Sequence, residues 1–325
     1  MFSITKYLIL LLIIFSSVIY QSYYHSLKNV KKRAVVIYVP NDNKYIKELK
    51  NIYTNFDKLQ LWDDTDLIVF HPKNFDISRT EKINMYKMID IIYDDVKNGN
   101  EWYNSSYGIH NGYYLYINSF KFLTDEKIQK FLLNYEYILK TDTDIFLCPK
   151  FKNTFPKDKL LTGNGGYIGS QETKNRLINI SKKLGYNHHG LFNIGATWYG
   201  KSDDIINLGK LSYNITKHIY HNEFKEKHEG WPIWYIAVSS MYGSELAANH
   251  LFGKNNKILK TNELDVQSSS DSSLDKCLHV HSWHSNDFYS KFKYEAGDYK
   301  NRECNANSTK INDFSFCIAK NAEYI

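Results

Sequence analysis

The sequence predicts an α/β fold built on a central, mostly parallel sheet, and three observations carry that expectation. From residue 34 onward, short β-branched runs alternate with segments of helical periodicity. The first runs are apolar throughout, as strands covered on both faces are. The chain has 325 residues, 43% of them hydrophobic and 16% aromatic, enough for one large core or two closely packed ones.

The elements follow in order. RAVVIYVP (33–40) is a β-branched run closed by Pro40, and it leads into a helix in which Tyr45, Ile46, Leu49, Ile52, Tyr53 and Phe56 recur at helical spacing. DLIVFHP (66–72) gives a second buried strand, and SRTEKINMYKMIDIIYDDV (78–96) a further helical pattern. LTDEKIQKFLLN (123–134) reads as a helix capped by Thr124, placed directly before the apolar run YEYILK.

Ahead of this body, residues 7–24 begin with the uncharged run YLILLLIIFSSVIY, preceded by Lys6. A spanning helix takes about 17 to 25 residues, so the segment reads as a signal-anchor that extends through Tyr24. A cleaved secretory signal is the alternative, and no small-residue cleavage site stands before Gln21 to favour it. The expected organisation is a cytosolic tail (1–6), an anchor (7–24), a stem (25–33) and a body (34–325). Lys6 on one side and Lys28, Lys31, Lys32 and Arg33 on the other leave the orientation unset by charge. A large body after an N-terminal anchor predicts a single-pass type II protein with a lumenal domain in the endoplasmic reticulum or Golgi. Sequons at Asn104, Asn179, Asn214 and Asn307 agree with a glycoprotein. The cysteines, Cys148, Cys277, Cys304 and Cys317, lack the C-x-x-C spacing of a zinc framework; Cys304 with Cys317 is the expected local pair. The net charge of +6 is spread along the chain, with KKR (31–33) its only dense basic cluster, which argues against nucleic acid as a partner.

The chemistry concentrates in YILKTDTDIFLCP (137–149). Asp142 and Asp144 follow an apolar strand, and ligands of open α/β sheets bind beyond the carboxyl ends of strands. In an extended segment, residues i and i+2 point the same way, so both carboxylates project into one cleft while Thr143 turns aside. Like charges so placed repel unless a cation lies between them. Mn²⁺ or Mg²⁺ is the fitting ion, because hard cations take a few carboxylates together with substrate phosphates.

This segment resembles the metal-binding stretch of the GT-A type glycosyltransferases, in which an apolar strand runs into D-x-D and then through an apolar bridge toward Pro. The resemblance implies a Rossmann-like sandwich with a nucleotide-binding half (34–149) before an acceptor-side half (150–325). It also implies transfer of a sugar from a UDP- or GDP-sugar to a glycan, glycoprotein or lipid acceptor. From its residues alone, GLFNIGATWYGKSDDI (190–205) is a glycine-containing core strand followed by a helix capped by Ser202; it is also similar to the F-N-x-G-V type segment of several retaining members, a strand beneath the donor sugar. There Asn193 would offer its amide to the sugar and Gly195 would permit close approach. Many members return a C-terminal histidine to the metal. LHVHSWHS (278–285) supplies His279, His281 and His284, of which His281 is preferred as the third ligand. The H-x-x-G-x-x-K-P-W form of some retaining families is absent.

On the acceptor side, HEGWPIWYIAVSSMYGSELAANH (228–250) offers Trp231, Trp234 and Tyr235 as stacking faces or core residues, with Pro232 at a helix start. Glu229 is the candidate base should the transfer invert configuration. Gly163, Gly165 and Gly166 form a loop whose amides could approach the donor. Two further readings stand beside the transferase. A haloacid dehalogenase-like phosphatase would use Asp142 as nucleophile and the SDD at 202–204 as its later acidic pair. A membrane-tethered carbohydrate-binding protein would keep the fold without the activity.

Overall fold

Every residue of strand β1 (Arg33–Tyr38) is buried, and the strand divides its side chains between two cores: Ala34, Val36 and Tyr38 enter one, Val35 and Ile37 the other. Such a strand needs a layer on each side. The computed structural model describes residues 32–73, 75, 89–91, 109–110, 113–224, 229–283 and 285–323. The expected anchor at 7–24, most of the stem, the Asn104 sequon and His284 lie outside the described residues.

After β1 come α1 (Asn43–Leu59), β2 (Thr65–Pro72), β3 (Ile89–Ile91), β4 (Ile109–His110), β5 (Tyr113–Tyr114), α2 (Asn118–Lys121) and α3 (Glu126–Leu132). The middle of the chain holds β6 (Tyr137–Lys140), β7 (Ile145–Leu147), β8 (Leu160–Asn164), α4 (Gln171–Lys183), β9 (Ile194–Lys201) and α5 (Ser202–Asn222). The remainder adds α6 (Ser239–Phe252), β10 (Ile258–Lys260), β11 (Val266–Gln267), β12 (His279–His281), α7 (Lys291–Glu295) and α8 (Ile311–Ala322). The main sheet runs β10-β8-β9-β6-β1-β2-β3. All its pairings are parallel except the two made by β9, which lies antiparallel between β6 and β8. The mostly parallel α/β sheet expected from the sequence is thus the one found.

Helix α1 packs Ile46, Leu49, Ile52 and Phe56 on one face of this sheet, while α5 and α6 cover the other through Ile205, Ile215, Ile219 and Leu246. A small second sheet, β11-β12-β7, is backed by Phe314, Phe316 and Ile318 of α8 around a third core. Cys304 and Cys317 are bonded beside it, Cα atoms 5.1 Å apart. Asn179, Asn214 and Asn307 are exposed.

Several local expectations are corrected. Within 78–96, the described residues 89–91 form strand β3, paired in parallel with β2, where a helix is expected; the β-branched residues of IDI suit the sheet edge. Helix α3 is capped by Asp125, whose carboxylate accepts from the N–H groups of Lys127 and Ile128, while the Thr124 hydroxyl turns back to the Lys121 carbonyl. Ser202 is the first helical residue of α5 and donates to the Tyr135 carbonyl, so it does not cap. The helix expected at Pro232 begins at Ser239, after a turn in which the Ile233 N–H bonds the Gly230 carbonyl.

Candidate active site

The chain leaves the main sheet at Lys140 and enters the small sheet at Ile145, so the Asp-Thr-Asp segment is the bend between two sheets rather than the continuation of a strand. The two carboxylates still emerge on one side. Thr143, expected to turn aside, borders the same cleft and donates its hydroxyl to Glu48 of α1, which ties the bend to that helix. The antiparallel pairing of β7 with β12 sets Ile145 opposite His281, and the Ser282 N–H donates to the Asp144 carbonyl at 2.8 Å. That register brings a histidine 137 positions along the chain from Asp144 back against it.

Ligand atoms of Asp142, Asp144 and His281 lie within 4.8 Å of one another. Nε2 of His281 is 3.2 Å from Asp144 Oδ1 and 4.0 Å from Asp142 Oδ2. On the other side of the ring, Nδ1 is 3.5 Å from Oδ1 of Asp265, whose side chain is 1% exposed. A carboxylate at Nδ1 fixes the tautomer that presents the Nε2 lone pair to a metal. Two carboxylates and one so-oriented imidazole form a donor set that could hold a divalent metal ion. Burial opposes a charge on His281, but Asp144 and then Asp265 outweigh it and hold its affinity for a proton far above the ordinary range. Burial likewise works against the Asp144 carboxylate, and His281 and Lys291 more than offset it.

Lysines complete the charge balance. Lys291 of α7 places its ammonium on Asp144 and 3.5 Å from Glu48, and Lys140 stands 3.7 Å from Asp142. Burial, followed by the Asp144 charge, raises the Glu48 carboxyl to about 7.

The cluster borders a cleft of about 600 Å³ at the carboxyl ends of β1 and β6. Tyr45, Tyr116, Trp198 and Gly195 are among its walls. The volume falls within the range of about 300 to 1,000 Å³ typical of small-molecule sites.

His279 is fully buried; its Nδ1 accepts from the Asp265 N–H at 3.3 Å and its Nε2 meets the Thr141 hydroxyl at 2.8 Å, so both ring nitrogens are used away from the cleft. Burial lowers it to about 4, which keeps it neutral. Asn193, with φ of 54°, spends its amide on the Ile168 backbone, and the cleft wall is made by its neighbours Ile194, Gly195 and Ala196. Gly195 is demanded by packing: a Cβ there would stand 2.0 Å from Asp265 Oδ2, and one on Gly163 would stand 2.2 Å from the same atom. Glu229 lies in the 229–234 turn, its N–H bonded to the Trp234 carbonyl, and is not among the residues lining the cleft. Trp234 is a core residue stacked between Phe224 and Tyr242, whereas Trp231 is 55% exposed. Asp203 and Asp204 open α5 at the far end of the sheet from Asp142, because β9 runs antiparallel to β6 with Lys201 opposite Tyr137. The phosphatase arrangement is therefore not assembled.

Sequence reasoning misses Asp265, Glu48 and Lys291. The first has no periodic or motif signal; its φ of 55° and its bonds to the Thr197 N–H and hydroxyl define its place only in the folded chain.

The family described as Domain of unknown function (DUF7164) matches residues 27–325. No curated protein matches the sequence. Among solved structures, an active-site mutant of LgtC is similar at 8% identity over 89% of this chain and 95% of its own, with a TM-score of 0.47. The galactosyltransferase LgtC in complex with donor and acceptor sugar analogues is similar at 10% identity with the same coverage and a TM-score of 0.45. A glycosyltransferase involved in glycosylation of the major capsid of PBCV-1 is similar at 10% identity, over 78% of this chain and 94% of its own, with a TM-score of 0.36.

Proposed function

We propose that this chain, which belongs to the family described as Domain of unknown function (DUF7164), is a metal-dependent glycosyltransferase. It moves a sugar from a nucleotide-sugar donor to a glycan, protein or lipid acceptor. The observation that carries the reading is the convergence of Asp142, Asp144 and His281 within 4.8 Å at the edge of a cleft beyond the strand ends. That is where an α/β sheet binds nucleotides.

Asp142, Asp144 and His281 would hold Mn²⁺ or Mg²⁺, and a cation so held supplies the Lewis-acid charge that a departing diphosphate needs. Asp265 keeps the His281 ring oriented by facing Nδ1. Lys291 and Lys140, already against the two aspartates, are near enough to offer positive charge to the phosphates. Tyr45, Tyr116 and Trp198 give the cleft flat apolar walls for a base or sugar ring. A lumenal body behind an anchor at 7–24 fits the same reading, supported by the apolar run, the exposed sequons and the Cys304–Cys317 disulfide.

The test is a panel of UDP- and GDP-sugars incubated with the purified full chain, with Mn²⁺ or with chelator, while nucleoside diphosphate release is followed. At least one donor turns over with metal only, and Asp144→Asn abolishes that turnover. With a phosphomonoester in place of the nucleotide sugar, release of inorganic phosphate through an aspartyl-phosphate on Asp142 would instead establish the phosphatase.

A further inference from the structure

Strand β7 leaves the Asp-Thr-Asp bend and is followed directly by Cys148; Cys277 stands two residues before strand β12, which carries His281. Both cysteines are fully buried and both belong to the third core, with Phe146 and Val280. Their backbones run side by side: Leu147 is in register with His279, and the Cys148 N–H donates to the Leu278 carbonyl at 3.0 Å. Strict alternation would put Cys148 and Cys277 on opposite faces of this ladder. The chain breaks the alternation at Leu278, where the N–H groups of Leu278 and His279 both donate to the Glu263 carbonyl. Leu278 then enters the second core, with Leu147, while Cys277 returns to the side of Cys148.

We infer that Cys148 and Cys277 are an unassigned modification site: they close as a second disulfide, which staples the strand after the Asp-Thr-Asp segment to the strand carrying His281. The chain already bonds Cys304 to Cys317 in the same region, across a separation of 13 residues. The new bond closes a far longer loop, so it removes more entropy from the unfolded chain.

The chemistry is thiol–disulfide exchange with a donor disulfide, as found in oxidising compartments. One thiol loses its proton and attacks the donor, expelling one donor thiolate and leaving a mixed disulfide. The second, also deprotonated, displaces the other donor thiolate. Two electrons pass to the donor, which departs as two thiols carrying the two protons. In the folded chain, burial and then the Cys277 thiol push the Cys148 thiol well above its ordinary range, which makes it a poor nucleophile. Closure therefore belongs to folding, before the third core is sealed, and the finished bond is shielded from reductant.

The experiment uses the full chain made in an oxidising secretory compartment, denatured in guanidinium with an alkylating agent, and weighed intact with and without prior reduction. Without reductant no cysteine is alkylated, with reductant all four are, and a non-reduced digest yields the peptide cross-linked through Cys148 and Cys277. Adducts on Cys148 and Cys277 before reduction, or a cross-link from either to Cys304 or Cys317, would overturn the inference. A second measurement reads the staple's effect: Cys148→Ser/Cys277→Ser binds Mn²⁺ severalfold more weakly than the oxidised wild type. Equal affinity would remove its role in holding His281 to the aspartates.

Discussion

Oδ1 of Asp265 stands 3.5 Å from Nδ1 of His281, on the side of the ring opposite Asp144. The contact ends a buried polar chain. The Thr197 hydroxyl donates to Asp265 at 2.6 Å, and the Thr141 hydroxyl, 3.0 Å from Thr197 Oγ1, links that pair to His279. A residue with no motif of its own thus sets the direction in which His281 presents its second nitrogen.

Asp265→Asn keeps the shape and the tolerance for positive φ but removes the charge that holds the Nδ1 proton. Outer partners of metal-bound histidines typically contribute about 10- to 100-fold in affinity, so Mn²⁺ binding measured by calorimetry should weaken by that factor in a folded protein. Unchanged affinity would leave Asp265 a packing residue only.

Gly195→Ala forces a methyl against Asp265 Oδ2 and 2.7 Å from the Gly163 carbonyl carbon, in a place where backbone closes the space. The expected loss is about 2 kcal/mol of stability by denaturant titration, together with weaker Mn²⁺ binding as the carboxylate is displaced. Gly166→Ala, which meets nothing within 4 Å, is the control and should change neither.

Burial raises the carboxyl of Glu245 from 4.5 to about 8, although its Oε2 accepts from the Tyr167 hydroxyl and the Asn193 N–H. The folded chain therefore holds this proton more tightly than the unfolded chain. The contribution of Glu245 to stability is greatest below about pH 4.5 and declines as pH rises toward about 8. Glu245→Gln removes that dependence. Relative to wild type, the variant should gain about 3 to 4 kcal/mol between pH 5 and pH 8 in chemical denaturation, in the direction of higher pH. A difference that stays flat across this window would mean that Glu245 is ionised in the folded chain.

What the sequence reveals depends on how local the cause is. β1 and β2 are legible because β-branched runs without polar interruption have few alternatives to a buried strand, and α1 because its apolar residues keep helical spacing. The aspartate pair is legible as a motif, and His281 as one of three histidines near a tryptophan. Strand β3 is missed because periodicity within 78–96 is compatible with either element. Thr124 and Asp125 are both good caps, and only the backbone path selects the second. Lys291 reaches Asp144 across 147 positions through the placement of α7, a relation no local pattern encodes.

In the function proposed, Asp142, Asp144 and His281 hold a divalent cation which in turn holds a diphosphate. Calorimetric titration of the full chain with UDP and with GDP, in Mn²⁺ and again in chelator, tests it directly. At least one nucleotide should bind orders of magnitude more tightly with Mn²⁺, and Asp144→Asn should lose that gain. Equal affinity with and without the metal, or a gain that survives Asp144→Asn unchanged, would contradict it.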